Sequence, residues 1–210
     1  VTGSSKAAAR GRVPPRATSP RLATGAPRGP AGGPGRLKGY HYIGPFPVRG
    51  AIVVADPCYV KETRQDLANR LRAKSGVWHA WVRHDPTSHY ASIEVLTAAH
   101  EDHVALARDL WRRFAEVPPV GLNVWVDSGT VSIVDAARLD ADAPFLRRVH
   151  DCTVKQALGD LLEGSGCVVT TPHGDGCFPL GVTTLRRAAV AVQVAFAFDD
   201  EDEAGEEDDE

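Results

Sequence analysis

The chain of 210 residues carries a formal net charge of −3, and that near-neutrality hides a dipolar layout. Residues 1–38 hold eight Lys and Arg and no acidic residue, residues 199–210 hold ten Asp and Glu, and the 160 residues between carry 16 basic and 17 acidic side chains. No apolar run approaches the ~18–20 residues of a membrane-spanning helix, and no apolar stretch of ~7–15 residues follows the basic start, which argues against a membrane protein and a secretory signal.

Neither end has the apolar mass to offset the entropy of ordering it. The expected organisation is a disordered basic arm over 1–38, a single α+β domain over 39–198 and a disordered acidic tail over 199–210. The Arg-rich arm has the charge of an organellar transit peptide, but its Pro and Gly density opposes the amphipathic helix such leaders form. Cys58, Cys152, Cys167 and Cys177 show no C-x-x-C spacing. They read as reduced thiols in a cytoplasmic protein; in an exported chain they would allow two disulfides of undetermined pairing.

Along the domain, Tyr40 to Ile43 opens an extended segment that a Gly-Pro-Phe-Pro turn region should end. Ala51 to Ala55 is a short β-branched run stopped by Asp56-Pro57, the pattern of a buried strand. Residues 61–74 read as a helix, with Leu67, Ala68 and Leu71 on one face and Ser75-Gly76 as its stop. A hairpin follows, 77–84 against 90–98, around the turn formers of 85–89. Residues 101–116 place Val104, Ala107, Leu110, Trp111 and Phe114 at helical spacing.

Leu122 to Asp135 contains two alternating runs meeting at Ser128-Gly129, where Gly permits the positive φ of a tight turn. That predicts a hairpin pairing Asp127 with Thr130, Val126 with Val131 and Val124 with Ile133, all four β-branched residues on one face. Residues 142–163 read as helical in two pieces, the second capped by Asp151 or Thr153 and stopped by Gly164. Strands at 167–170 and 178–184 flank the loop 172–176, and 188–198, apolar on both faces, reads as an interior strand. About seven strands and three helices in mixed order predict an α+β fold on a mainly antiparallel sheet, with strong curvature expected of it.

Three motifs put a carboxylate at an element boundary: Asp56-Pro57-Cys58-Tyr59, Asp127-Ser128-Gly129 and Gly174-Asp175-Gly176. Asp and Gly are first of all turn residues, and a plain turn is the commoner reading of each. Carboxylates at the loop tips of a rigid sheet are also placed to bind a cation or a polar ligand. The candidate ligand surface is therefore Asp56, Tyr59, Asp127, Ser128, Gly129, His173, Gly174, Asp175 and Gly176, with Asp56, Asp127 and Asp175 as ligands to a divalent cation. Asp135 is excluded, being five residues beyond Thr130 and so about 16 Å from the turn at ~3.3 Å per residue. Cys58 with His173 as base is a nucleophile reading, against the commoner buried cysteine. His100-x-x-His103 supplies at most two of the ligands zinc needs. No phosphate-binding loop, dinucleotide fingerprint, G-x-S-x-G or H-E-x-x-H occurs.

The DPCY, VDSG and GDG-plus-Pro179 motifs, in that order over residues 50–184, resemble uncharacterised domain families of bacteria and their phages. The resemblance implies a small β-rich bacterial protein of the cytoplasm and supplies no catalytic residue. The leading functional reading is a binding or interaction domain for a protein or small polar ligand at the Asp56, Asp127 and Asp175 loops. The alternative is a metal-assisted hydrolase using those carboxylates with His173. A third is an accessory nucleic-acid binder acting through residues 1–38, whose phosphate contacts the acidic tail would mask.

Overall fold

Alternating apolar residues drive this chain into strands, and in the computed structural model those strands divide between two antiparallel sheets. Residues 39–64, 67–84, 93–107, 121–152, 154–155 and 158–196 are described. The first sheet runs in the order β1 (Tyr40–Val48), β4 (Gly76–His84), β5 (Ile93–His100), β11 (Ala188–Ala195), β10 (Gly176–Leu185) and β6 (Asn123–Val126). The second is ordered β3 (Ala68–Arg72), β2 (Ala51–Ala55), β7 (Thr130–Asp135), β9 (Gly166–Thr170) and β8 (Asp160–Leu161). The α+β class and antiparallel pairing hold, but eleven strands in two sheets replace the single sheet expected, with no closed barrel among the described residues.

The inner faces of both sheets form one core. Phe46, Trp78, Leu96, Phe178 and Val192 of the first meet Ile52, Val54, Val131, Ile133 and Val169 of the second. The back of the second sheet, Val53, Val134 and Val168, is covered by Leu139 of α1 (Ala136–Ala141) and by Phe145 and Val149 of α2 (Ala143–His150). Helix α2 starts where it does because Asp142 caps it, accepting from Phe145 N at 2.9 Å, with Pro144 in the first turn. On the outer face of the first sheet, Trp81, Ala99 and Ala191 pack with Val104 and Ala107. Thr97 and Gln193 are cross-strand partners on this face, both 0 % exposed, and the Gln193 amide has no hydrogen-bond partner among the described residues.

The strand at 51–55, the β4–β5 hairpin and the interior position of β11 match expectation. Other elements differ, each for a visible reason. The helix expected over 61–74 is instead strand β3, paired with β2. Its helical spacing coexists with a two-residue alternation, Asn69, Leu71 and Ala73 inward against Arg70 and Arg72 outward. Asn69 points inward because its amide donates to Asn123 O at 2.7 Å. The Gly-Pro-Phe-Pro segment does not turn but continues β1, whose place at the sheet edge leaves its prolines no ladder bond to break. The helix of residues 142–163 ends at His150, and β8 occupies part of the second piece. Of the helix expected over 101–116, a 3-10 turn at Glu101–His103 and helical residues 104–107 are seen; 108–116 lie outside the described residues, as does the loop 85–89.

The hairpin expected at 122–135 is the most instructive correction. β6 pairs with β10 in one sheet, while β7 pairs with β2 and β9 in the other. Val124, Val126, Val131 and Ile133 all face the core, as the alternation requires, but they face it from opposite sides. A two-residue period assigns faces. It does not assign partners.

Candidate functional site

The crossing from β6 to β7 is held by Asp56. Pro57 fixes φ immediately after β2, so the chain turns at once into the 3-10 turn Pro57–Tyr59. This buries the Asp56 carboxylate completely, at 0 % exposure. One oxygen accepts from Cys58 N and Ser128 Oγ, both at 2.8 Å, and the other from Asp127 N at 2.8 Å and Ser128 N at 2.7 Å. The Asp127 amide, which a hairpin ladder would have engaged, and the Ser128 amide of the turn are thus both satisfied by the Asp56 side chain. The Tyr59 hydroxyl donates to the Asp127 carboxylate, which pushes the phenol up to about 12.

The third loop joins through backbone. Thr171 N donates to Gly129 O at 2.9 Å, and the Thr171 hydroxyl closes the following turn onto Gly174 O. Gly129 and Gly174 have φ of +66° and +72°, and a Cβ on Gly129 would stand 3.6 Å from Gly174 Cα. The positive φ favours glycine at both positions, while the added Cβ would make only an ordinary contact. Gly176 lies opposite Val126 in register, so Asp175 and Asp127 occupy adjoining strand ends. The three motifs chosen from sequence therefore do converge.

Between these loops and the end of α2 is an open cleft of about 380 Å³, lined by Cys58, Ser128, Thr130, His150, Cys152 and Thr170 among others. Its polar wall has a defined proton order. Ser128 Oγ has one hydrogen, donated to Asp56, so at the 2.6 Å contact between Ser128 Oγ and Thr130 Oγ1 the threonine must donate. Thr130 Oγ1 is left with its lone pairs and no hydrogen to offer. It can only accept.

The thiols carry no charge at neutral pH. Burial pushes Cys58 up, and the Asp56 carboxylate adds to this both by charge and as hydrogen-bond acceptor. Burial, then the charges of Asp56 and Cys58, raise Cys152 to about 11. An activated nucleophile needs the opposite shift, so the Cys58–His173 reading is corrected. His173 is exposed in its turn, and the imidazole lining the cleft is that of His150.

The cation reading of Asp56, Asp127 and Asp175 meets a similar obstacle. Donors already occupy both oxygens of Asp56, Tyr59 holds Asp127, and among the described residues no three His, Cys, Asp or Glu are placed to hold a metal ion. Asp135 lies apart from the site, buried and accepting from Arg49 N at 2.9 Å. Nor are His100 and His103 poised as ligands. His100 uses Nε2 on Ser75 O at 3.1 Å and Nδ1 on Asp102 N at 3.2 Å, and His103 Nε2 faces Lys74 Nζ at 3.3 Å.

Thr130, Thr170, His150 and Cys152 were missed from sequence. Thr130 and Thr170 are cross-strand partners in β7 and β9, and no local pattern marks such a pair. Comparisons with protein families, curated proteins and solved structures found no match to this chain.

Proposed function

We propose that this domain is a binding module whose cleft takes a small neutral ligand rich in hydroxyl or N–H donors. The observation that carries this reading is the relay from Thr130 through Ser128 to the buried Asp56, which turns the cleft's central hydroxyl into an acceptor. A ligand must bring the hydrogen. Both oxygens of Asp56 are occupied by internal donors, Tyr59 holds one oxygen of Asp127, and the thiols are protonated, so the cleft wall offers little to a charged ligand. The cleft volume of about 380 Å³ lies in the ~300–1,000 Å³ range of small-molecule sites. Three loops tied by Asp56 and Thr171 supply the rigidity that lowers the entropic cost of binding. The cytoplasmic placement belongs to the proposal and is supported by all four cysteines being free thiols.

The test is an amide-shift titration of the isotope-labelled full chain. The probes are neutral mono- and disaccharides and N-acetylated amino-acid amides, with sodium acetate as an acceptor-only control. Saturable shifts at Ser128, Thr130, Thr170 and Gly174 with a donor-bearing probe, silent with acetate, are expected. Thr130→Val should weaken that binding by up to about tenfold, the value of one hydrogen bond. No saturable shift at these amides across the panel, or equal binding of acetate, rejects the reading.

A further inference from the structure

The cleft contains two thiols that its binding role does not use. Cys167 is fully buried between the sheets, and Cys177 sits on β10 opposite Trp125. Cys58 and Cys152 alone among the four line the cleft, one exposed in the 3-10 turn and the other half-buried just past α2. The turn and the helix are packed together, Val60 lying in one apolar cluster with Phe145 and Val149, and Cys152 packs against that cluster. Cys152 N is tied back to Val149 O at 3.3 Å, so its Cα is held at the helix end.

We propose that Cys58 and Cys152 are a redox-modified pair that closes to a disulfide across the cleft when the protein meets a low-molecular-weight disulfide. The exposed Cys58 reacts first: its thiolate attacks one sulfur of oxidised glutathione, the S–S bond breaks, and one glutathione thiol leaves. The Cys152 thiolate then attacks Cys58 Sγ in the mixed disulfide and displaces the second glutathione. Two protein thiols are oxidised and one small disulfide is reduced to two thiols. The bond joins the loop that carries Asp56 to the end of α2, across the space a ligand would enter. Both thiols titrate above their ordinary range, so closure is slow at neutral pH and accelerates as thiolate forms.

The full chain is incubated with oxidised glutathione at pH 7, 8 and 9, quenched with acid, digested with trypsin and mapped by mass. The expected product links peptide 50–61, which holds Cys58, to peptide 149–155, which holds Cys152. Its rate should rise about tenfold per pH unit. Cys58→Ser and Cys152→Ser should each stop at a glutathione adduct on the remaining thiol. A stable glutathione adduct on Cys58 with Cys152 still free, or a linkage through Cys177, overturns the proposal. The wild-type peptide map decides even if a variant fails to fold. Closure needs no bound ligand, so this test and the titration of the cleft fail independently.

Discussion

Replacing Asp56 by Ala removes the acceptor of four hydrogen bonds at a position with 0 % exposure. A bond to a charged group contributes ~1.5–3 kcal/mol, so four would suggest a loss well above what single substitutions reach. The donors decide the discount. Asp127 and Ser128 are exposed residues, and with the carboxylate gone their N–H and O–H groups can turn to water, recovering much of the loss. A cost of about 3–5 kcal/mol remains, the range for removing one partner from a buried charged interaction. Asp56→Asn separates charge from shape. Its amide oxygen can keep the Asp127 and Ser128 N–H groups, and its NH₂ can donate to Ser128 Oγ, but that NH₂ then faces Cys58 N–H. It should cost about 2 kcal/mol, one lost bond plus a donor–donor contact. Urea denaturation measures both: at an m-value of about 2 kcal/mol/M, the alanine midpoint falls by roughly 2 M and the asparagine midpoint by roughly 1 M. Hydrogen exchange at Asp127 and Ser128 should lose protection in the alanine protein. An alanine cost below about 1 kcal/mol, or protection unchanged, would mean that the crossing between sheets is held by packing and not by this carboxylate.

Three further outcomes are expected. Arg186 and Arg187 form the two-residue turn between β10 and β11 with φ of +51° and +63°, a conformation that disfavours side chains other than Asn and Asp. Arg186→Asn with Arg187→Gly should stabilise by about 1–2 kcal/mol and raise Tm by roughly 3–6 °C, and a lower Tm would contradict the assignment of strain to this turn. Gln193→Met removes a fully buried amide whose nitrogen and oxygen are bonded to nothing among the described residues, and should stabilise by about 1–2 kcal/mol in urea; destabilisation would reveal a partner for the amide. The third outcome concerns pH. Burial lowers His79, with His100 adding to it and Glu101 opposing, and burial then Lys74 and His100 lower His103, with Asp102 opposing. The unfolded chain, titrating near 6.5, therefore binds more protons than the folded one just below that value. Stability is full above pH ~6.5 and declines as pH falls through it toward the folded values, before carboxylates titrate. Thermal melts at pH 7.5 and 5.5 should show a lower Tm at the acidic value, and His103→Gln should shrink the difference; equal melting temperatures would remove these imidazoles from the account.

What could be read from the sequence was which residues turn inward, because burial has a local period. Val124, Val126, Val131 and Ile133 were placed correctly on one inward face, as were Val192 and Val194, and 51–55 was read as a buried strand. Pairing was not legible, because one period of two serves a hairpin and two facing sheets equally well. β3 was hidden by an inward Asn69, whose partner Asn123 is 54 residues away. The three acidic motifs were legible as turns at element boundaries, but what ties them to one another was not. Asp56 ties the first two as a hydrogen-bond acceptor, a role set by amides 71 and 72 residues downstream, and the third joins through the backbone of Thr171 and Gly129. The hydroxyls and thiols of the cleft come from the 3-10 turn after β2, the β6–β7 crossing, β7, β9 and the end of α2, segments far apart in sequence that the second sheet brings together.

The divergence of β6 and β7 into different sheets also bears on how the chain reaches its fold. Residues 122–135 favour a local pairing that forms in ~1–10 μs, while the native arrangement needs Ser128 to find an acceptor 72 residues earlier. Local preference and final topology therefore conflict at this one place, the condition that roughens a folding landscape. A hairpin formed there would have to open before the core could close around its four β-branched residues. In the folded protein Asp56 engages the amides of Asp127 and Ser128, so the turn that a local hairpin would need is held in the crossing between sheets.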